Sequence, residues 1–357
     1  MAGESPVPNQ RSGMCRACVS TNEVAVSPSG MYYLPHVNGT NDSYIVYADH
    51  GSNMFIKLCG RADCSHNNSD CNAHLNDGTH LSYYGGYLYA VAGGGMVTER
   101  CELIRMNPDG SNRMTTLDLY AFAKNQGGDF ATCELITDGI CIFAVYRWKG
   151  TGGTITPSKM NYYFYKLDGS MKEPADLESS TGILYSCGDV LLAYRGEVRH
   201  GGEYGSYWNW DPDANALTYL TDHPGQPGWF GEEHAYYFKD GAICRLTYET
   251  QTEEVLVDTG LEGKYYLFSF PDCMVLASRD DSDSADNNLY IYNWAYELVE
   301  IVEINYDHTG RTQFLLLSET AERLILTDRF EGKPLYYINK SDFGTGQAEI
   351  HKFSYVG

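Results

Sequence analysis

A chain of 357 residues with 43% hydrophobic content can bury a sizeable core, and its net charge of −22 repels nucleic-acid phosphates and anionic membrane surfaces alike. That charge keeps the protein dispersed, and it also attracts cations or a basic partner. No apolar run approaches the ~20 residues that span a bilayer, so no transmembrane segment is expected.

Residues 1–20 read as a flexible N-terminal arm. The opening MAGESPVPNQRSG lacks the apolar core of a signal peptide, so no signal segment is read in this chain. Met14–Ser20 is a strand candidate carrying Cys15 and Cys18. Without a βαβ setting, that Cys-x-x-Cys reads as a strand-edge pair or half of a metal site, not as a redox motif.

Residues 21–357 then repeat. The first unit, Asn22 to Leu58, holds EVAVSPSG, MYYLPHV, SYIVYADHG and MFIKL. The second runs from about Thr79 to Leu119, the third from Ala131 to Leu177 and the fourth from Gly182 to Thr221. The fifth covers Trp229 to Asp258, the sixth Lys264 to Asn305 and the seventh Gln313 to Tyr355. Each shows strand alternation broken by turn residues, and NPDG, KLDG and FKDG place Asp-Gly where a tight turn needs positive φ. The 30 tyrosines suit half-buried strands. A period of about 45 residues with about four strands per unit predicts a single all-β domain, a β-propeller of seven blades of four antiparallel strands. Six or eight blades fit the punctuation too, and Met14–Ser20 could add a closing strand to the seventh unit. Two insertions break the period: residues 59–80, rich in Cys and His, and Lys149 to Lys159, a Gly/Thr-rich loop.

ELIRMNPDGSNRMTTL in the second unit resembles a blade of the low-density-lipoprotein-receptor-like and TolB-like propellers. KLCGRADCSHNNSDCNAHL is similar to a motif of bacterial secreted or lipid-anchored propeller proteins. These resemblances imply an extracytoplasmic propeller, at the cell surface, lipid-anchored or secreted.

Cys59, Cys64, His66 and Cys71 follow the spacing Cys-x4-Cys-x-His-x4-Cys, with His74 and His80 close behind. Three thiolates and an imidazole suit tetrahedral zinc, which with four protein ligands would be structural. Disulfides, with Cys15, Cys18 or Cys101 as further partners, are the alternative in an exported protein, and free thiols the alternative in a reducing one. Cys101, Cys133, Cys141, Cys187, Cys244 and Cys273 fall in apolar strands and read as small buried hydrophobes. Asp281, Asp283 and Asp286, in the loop DDSDSADNN, offer oxygen ligands to calcium, or simply form a solvated turn.

Trp148, Tyr207, Trp208, Trp210 and Trp229 are ligand-binding candidates with Arg195, since aromatic platforms beside charges bind sugars and peptides; packing against the next blade is the competing reading. Arg147 and Arg199 could line a channel with Arg195. No nucleophile elbow, His-Glu-x-x-His, P-loop or dinucleotide fingerprint occurs. The expected function is therefore non-enzymatic recognition of a peptide, protein or glycan by a monomer through one propeller face. The alternatives are a hydrolase or lyase acting on sugar or peptide in the central channel, and an acidic interaction scaffold.

Overall fold

The computed structural model describes residues 23–35, 42–93, 99–137, 139–151, 154–172, 181–187, 190–199, 202–222, 229–231, 233–278, 286–304, 315–328 and 333–356. Its strands build a β-propeller of seven antiparallel sheets, each a meander of four strands taken in chain order. The first blade comprises Val24–Val26, Gly30–Tyr33, Val46–Asp49 and Met54–Lys57, and the second Gly78–Tyr84, Tyr87–Gly93, Cys101–Met106 and Met114–Asp118. The remaining blades begin at Phe130, Thr181, Trp229, Tyr265 and Leu315, within a few residues of the repeat boundaries read from the sequence.

Two compact units divide the chain. Of the described residues, those up to 181, with 333 and 353–356, form one, and those from 182 to 328 and from 334 to 352 form the other. In the first unit Leu34, Ile45, Leu75, Leu81, Leu88 and Met106 interlock as the core under blades one and two. In the second, Leu192, Tyr207, Phe230, Tyr236, Ile243 and Met274 do the same for blades four to six. Alternation explains the choice: inward residues of successive strands meet face to face, and each fully buried aliphatic or aromatic side chain contributes about 1.5–3 kcal/mol. Lys239 pairs Ala242 across Asp240 and Gly241, both at positive φ (50° and 82°), as a two-residue hairpin turn demands.

Two expectations need correction. Lys149 to Lys159 is not a loop. Ile140–Thr151 and Thr154–Lys166 pair antiparallel, with one register shift between Val145 and Tyr146, out to Thr151 opposite Thr154. β-branched Thr and Ile satisfy a ladder as readily as a loop, so a Gly/Thr-rich segment can extend its own hairpin. The chain end also leaves the seventh unit. Ser354–Tyr355 adds parallel to Met54–Phe55 of the first blade, with Ser354 N–H donating to Asn53 O (2.8 Å) and Val356 N–H to Phe55 O (2.9 Å). Tyr355 stacks on Phe55 at 4.9 Å, which the aromatic spacing of Phe353 and Tyr355 prepares. Pairing covers an otherwise exposed edge strand. The proposed closing strand Met14–Ser20, with Cys15 and Cys18, lies outside the described residues.

Candidate functional site

The insertion after the first blade is folded back on itself by backbone and side-chain contacts. His74–Asn76 pairs antiparallel with Asp42–Tyr44. Ile45 N–H donates to Ala73 O (2.9 Å), and Lys57 Nζ reaches His66 O (3.0 Å). Arg61 Nη1 spans the loop to Asp70 O (3.0 Å). His66 sits at φ 55°, a left-handed turn that brings its Nδ1 to 3.7 Å from Cys71 Sγ.

These turns gather Cys59, Cys64, His66 and Cys71 so that one ligand atom from each lies within 4.8 Å of all the others. Tetrahedral zinc with Zn–S of about 2.3 Å sets its sulfurs roughly 3.8 Å apart, so the cluster could hold a metal ion. Backbone amides point at the sulfurs: His66 N–H donates to Cys64 Sγ and Ala73 N–H to Cys71 Sγ, each at 3.4 Å. Burial raises the Cys59 thiol, but hydrogen bonds from the amides of Arg61 and Asn72 and from the Cys64 and Cys71 thiols outweigh it and bring Cys59 down to about 7. Burial pushes Cys71 up to about 11, and the neighbouring thiols Cys64 and Cys59 add to the rise. Three thiols in so small a space cannot all ionise unless a cation joins them.

His74 and His80 do not join the cluster. His74 Nε2 bonds Asp42 Oδ1 at 2.6 Å, with the Tyr44 ring 5.3 Å away, and His80 Nδ1 lies 2.9 Å from Thr79 Oγ1. Cys101, Cys133, Cys141, Cys244 and Cys273 are buried in the blades, where they pack as small apolar side chains. Burial raises every one of these for which a shift is resolved.

The residues that seat the insertion come from the second blade, and the sequence reading did not single them out. The Asn107–Ser111 turn presses Gly110, at φ 78°, against the loop: a β-carbon there would lie 2.6 Å from Asn72 O and 3.2 Å from Leu58 O. Arg113 donates from Nε to Gly110 O (3.2 Å) and from its two Nη atoms to the carbonyls of His74 and Asn72. The signal was present in the DGSNR run, whose Gly and Arg serve the neighbouring insertion.

Of the aromatic candidates, Tyr207, Trp210 and Trp229 are buried. Trp208 and Trp210 differ in burial although they are two apart on one strand and in continuous register with the next strand. Trp208 is half-buried. Its Nε1 donates to Ser206 Oγ (2.8 Å), the Arg195 guanidinium carbon stands 5.0 Å from its ring centroid, and the exposed Tyr219 meets it edge-on at 5.3 Å. Trp148, also half-buried, lies 5.1 Å from the ring of Phe130. Arg147 Nε donates to Gly127 O (3.1 Å); the Arg199 side chain lies outside the described residues. So do Asp281 and Asp283. Asp286 accepts from Tyr265 and Tyr290 hydroxyls (2.7 Å each) and from both nitrogens of Asn288 (2.8 and 3.0 Å).

Among the described residues no helix is long and apolar enough to cross a membrane. No family model and no curated protein matches the chain. Solved structures do match. A puromycin hydrolase superposes with a TM-score of 0.53 at 12% identity, over 98% of this chain and 55% of that one. A mutant of puromycin hydrolase complexed with PGG gives 0.52 at 12% identity, over 96% and 54%. TolB from Acinetobacter baumannii gives 0.34 at 13% identity, over 75% and 61%. The chain spans little more than half the length of the hydrolases, and at such identity the likeness to them is one of fold: the β-propeller.

Proposed function

We propose that this propeller is a non-enzymatic binding module, working outside the cytoplasm, that recognises a peptide, protein or glycan. What carries the reading is the platform of Trp208, Arg195 and Tyr219 on the fourth blade. It offers a half-open indole face, a guanidinium stacked on it and an exposed phenol in one place. Such a surface takes a sugar ring by stacking, or a peptide carboxylate or aromatic side chain by charge and contact. The Cys/His cluster is a structural zinc site in this reading, because amide donors aimed at sulfur favour thiolates over disulfide sulfurs.

A glycan and peptide array probed with the wild-type chain and with Trp208→Ala tests the platform. Ligands captured by the wild type should lose roughly 5–150-fold in affinity, since base or ring stacking on an aromatic is worth roughly 1–3 kcal/mol. An empty array together with turnover of a sugar or peptide substrate overturns the reading in favour of a hydrolase or lyase. Capture of basic proteins that collapses with rising salt and ignores Trp208 points to the acidic scaffold instead.

A further inference from the structure

We infer that Arg113 is the counter-charge of the Cys59, Cys64, His66 and Cys71 centre, a positioning residue that sets its metal affinity from the neighbouring blade. The inference rests on the structural-zinc reading above. A divalent ion held by three thiolates and one neutral imidazole keeps one net negative charge, and a half-buried centre needs a cation nearby to offset it. Three cationic side chains come close. Arg61 is exposed and already paired with Asp63 at 3.2 Å. Lys57 donates to His66 O and lies over the Tyr44 ring. Arg113 donates to three backbone carbonyls, those of Gly110, Asn72 and His74, where Lys57 reaches one. Two of these flank Ala73, whose amide donates to Cys71 Sγ, so the guanidinium grips the turn that presents the buried sulfur. Burial lowers the basicity of Arg113, while the Cys71 and Cys59 sulfurs push it back up, the direction expected of a cation beside anionic sulfur.

The geometry also joins two features that look separate in the sequence. Gly110 lets the blade-two turn touch Asn72 and Leu58 directly, and that approach delivers Arg113 to the cluster. Outer-shell groups of this kind orient the ligands and tune the metal.

The test uses the purified full chain loaded with zinc, with affinity measured by competition against a chromophoric chelator and folding followed by thermal melting. Arg113→Met should weaken zinc binding by about 10–100-fold, the usual cost of losing an outer-shell partner. Arg113→Lys keeps the charge but loses the forked geometry, and should recover most of that loss. An Arg113→Met chain that binds zinc like the wild type overturns the inference, and so does an Arg113→Lys chain as weak as Arg113→Met, since the role would then lie in hydrogen bonding and not in charge. Failure of the zinc reading itself looks different: the wild type would hold no zinc, and Cys59, Cys64 and Cys71 would react only after reduction.

Discussion

The two segments that interrupt the repeat solve one problem in opposite ways. The hairpin formed by Ile140–Thr151 and Thr154–Lys166 orders itself through its own backbone: the two strands pair along their length with a single register shift, and Phe130 stacks on Tyr146 and touches Trp148 at its base. The stretch from Cys59 to Ala73 has no ladder at all. It is held by side chains reaching for carbonyls (Lys57, Arg61 and Arg113) and by four potential metal ligands. A ladder needs β-branched and aromatic residues in alternation, which the hairpin has. Asn, Asp, Ser and Gly dominate the insertion, and these compete with regular backbone pairing. A polar loop of that length then needs a cross-link to offset its ordering entropy.

The difference can be broken from the metal side with the largest effect. With zinc bound as proposed, Cys71→Ser should lower its content from about one equivalent to near zero, because a tetrahedral structural site tolerates the loss of a sulfur poorly. Limited proteolysis should then cut between Cys59 and Ala73, while amide exchange in Ile140–Lys166 stays as slow as in the wild type. A strong chelator applied to the wild type should reproduce that pattern. Unchanged zinc content in Cys71→Ser would remove Cys71 from the centre.

The hairpin side gives the next effect. Phe130 is buried and contacts both rings that rise along the hairpin. Phe130→Ala should cost about 3–5 kcal/mol in denaturant unfolding, from lost burial and the cavity left behind. Exchange should speed up in the outer hairpin while the zinc content stays at one. If Phe130→Ala also released zinc, the two segments would share one cooperative unit and the contrast between them would fail.

These regions were unequally legible in the sequence. The blades announced themselves through period, alternation and Asp-Gly turns, because each blade is a local meander whose pairing partners are neighbours in the chain. The Cys/His spacing was legible as a metal or disulfide motif for the same reason: its ligands fall within one short loop. Arg113 and Gly110 were not, since they act across a blade boundary that no local pattern encodes. The outer hairpin was misread because composition alone does not say whether Thr and Gly pair. The buried Trp210 and half-open Trp208 were not separable either, since alternation puts both on one face of the strand and says nothing of what covers each.

The acidic turn before the sixth blade's third strand shows a third device, and the smallest expected effect. Burial raises the Asp286 carboxyl, but hydrogen bonds from Tyr290, Tyr265 and Asn288 outweigh it and hold the group below its ordinary value. A carboxylate whose folded pKa is depressed stabilises the fold above its unfolded value near 3.9, and the contribution is lost as pH falls through the folded value. Asp286→Asn should therefore cost about 1 kcal/mol near neutral pH, where charge-assisted bonds become neutral ones. The gap between wild type and variant should close as the pH is taken below about 4. With its oxygens engaged by protein donors, Asp286 has little left for a cation, so calcium should not shift the melting temperature. A calcium-dependent rise that Asp286→Asn abolishes would instead make this turn a ligand-ordered segment, of the kind proposed for the Cys/His insertion and not of the kind the hairpin represents.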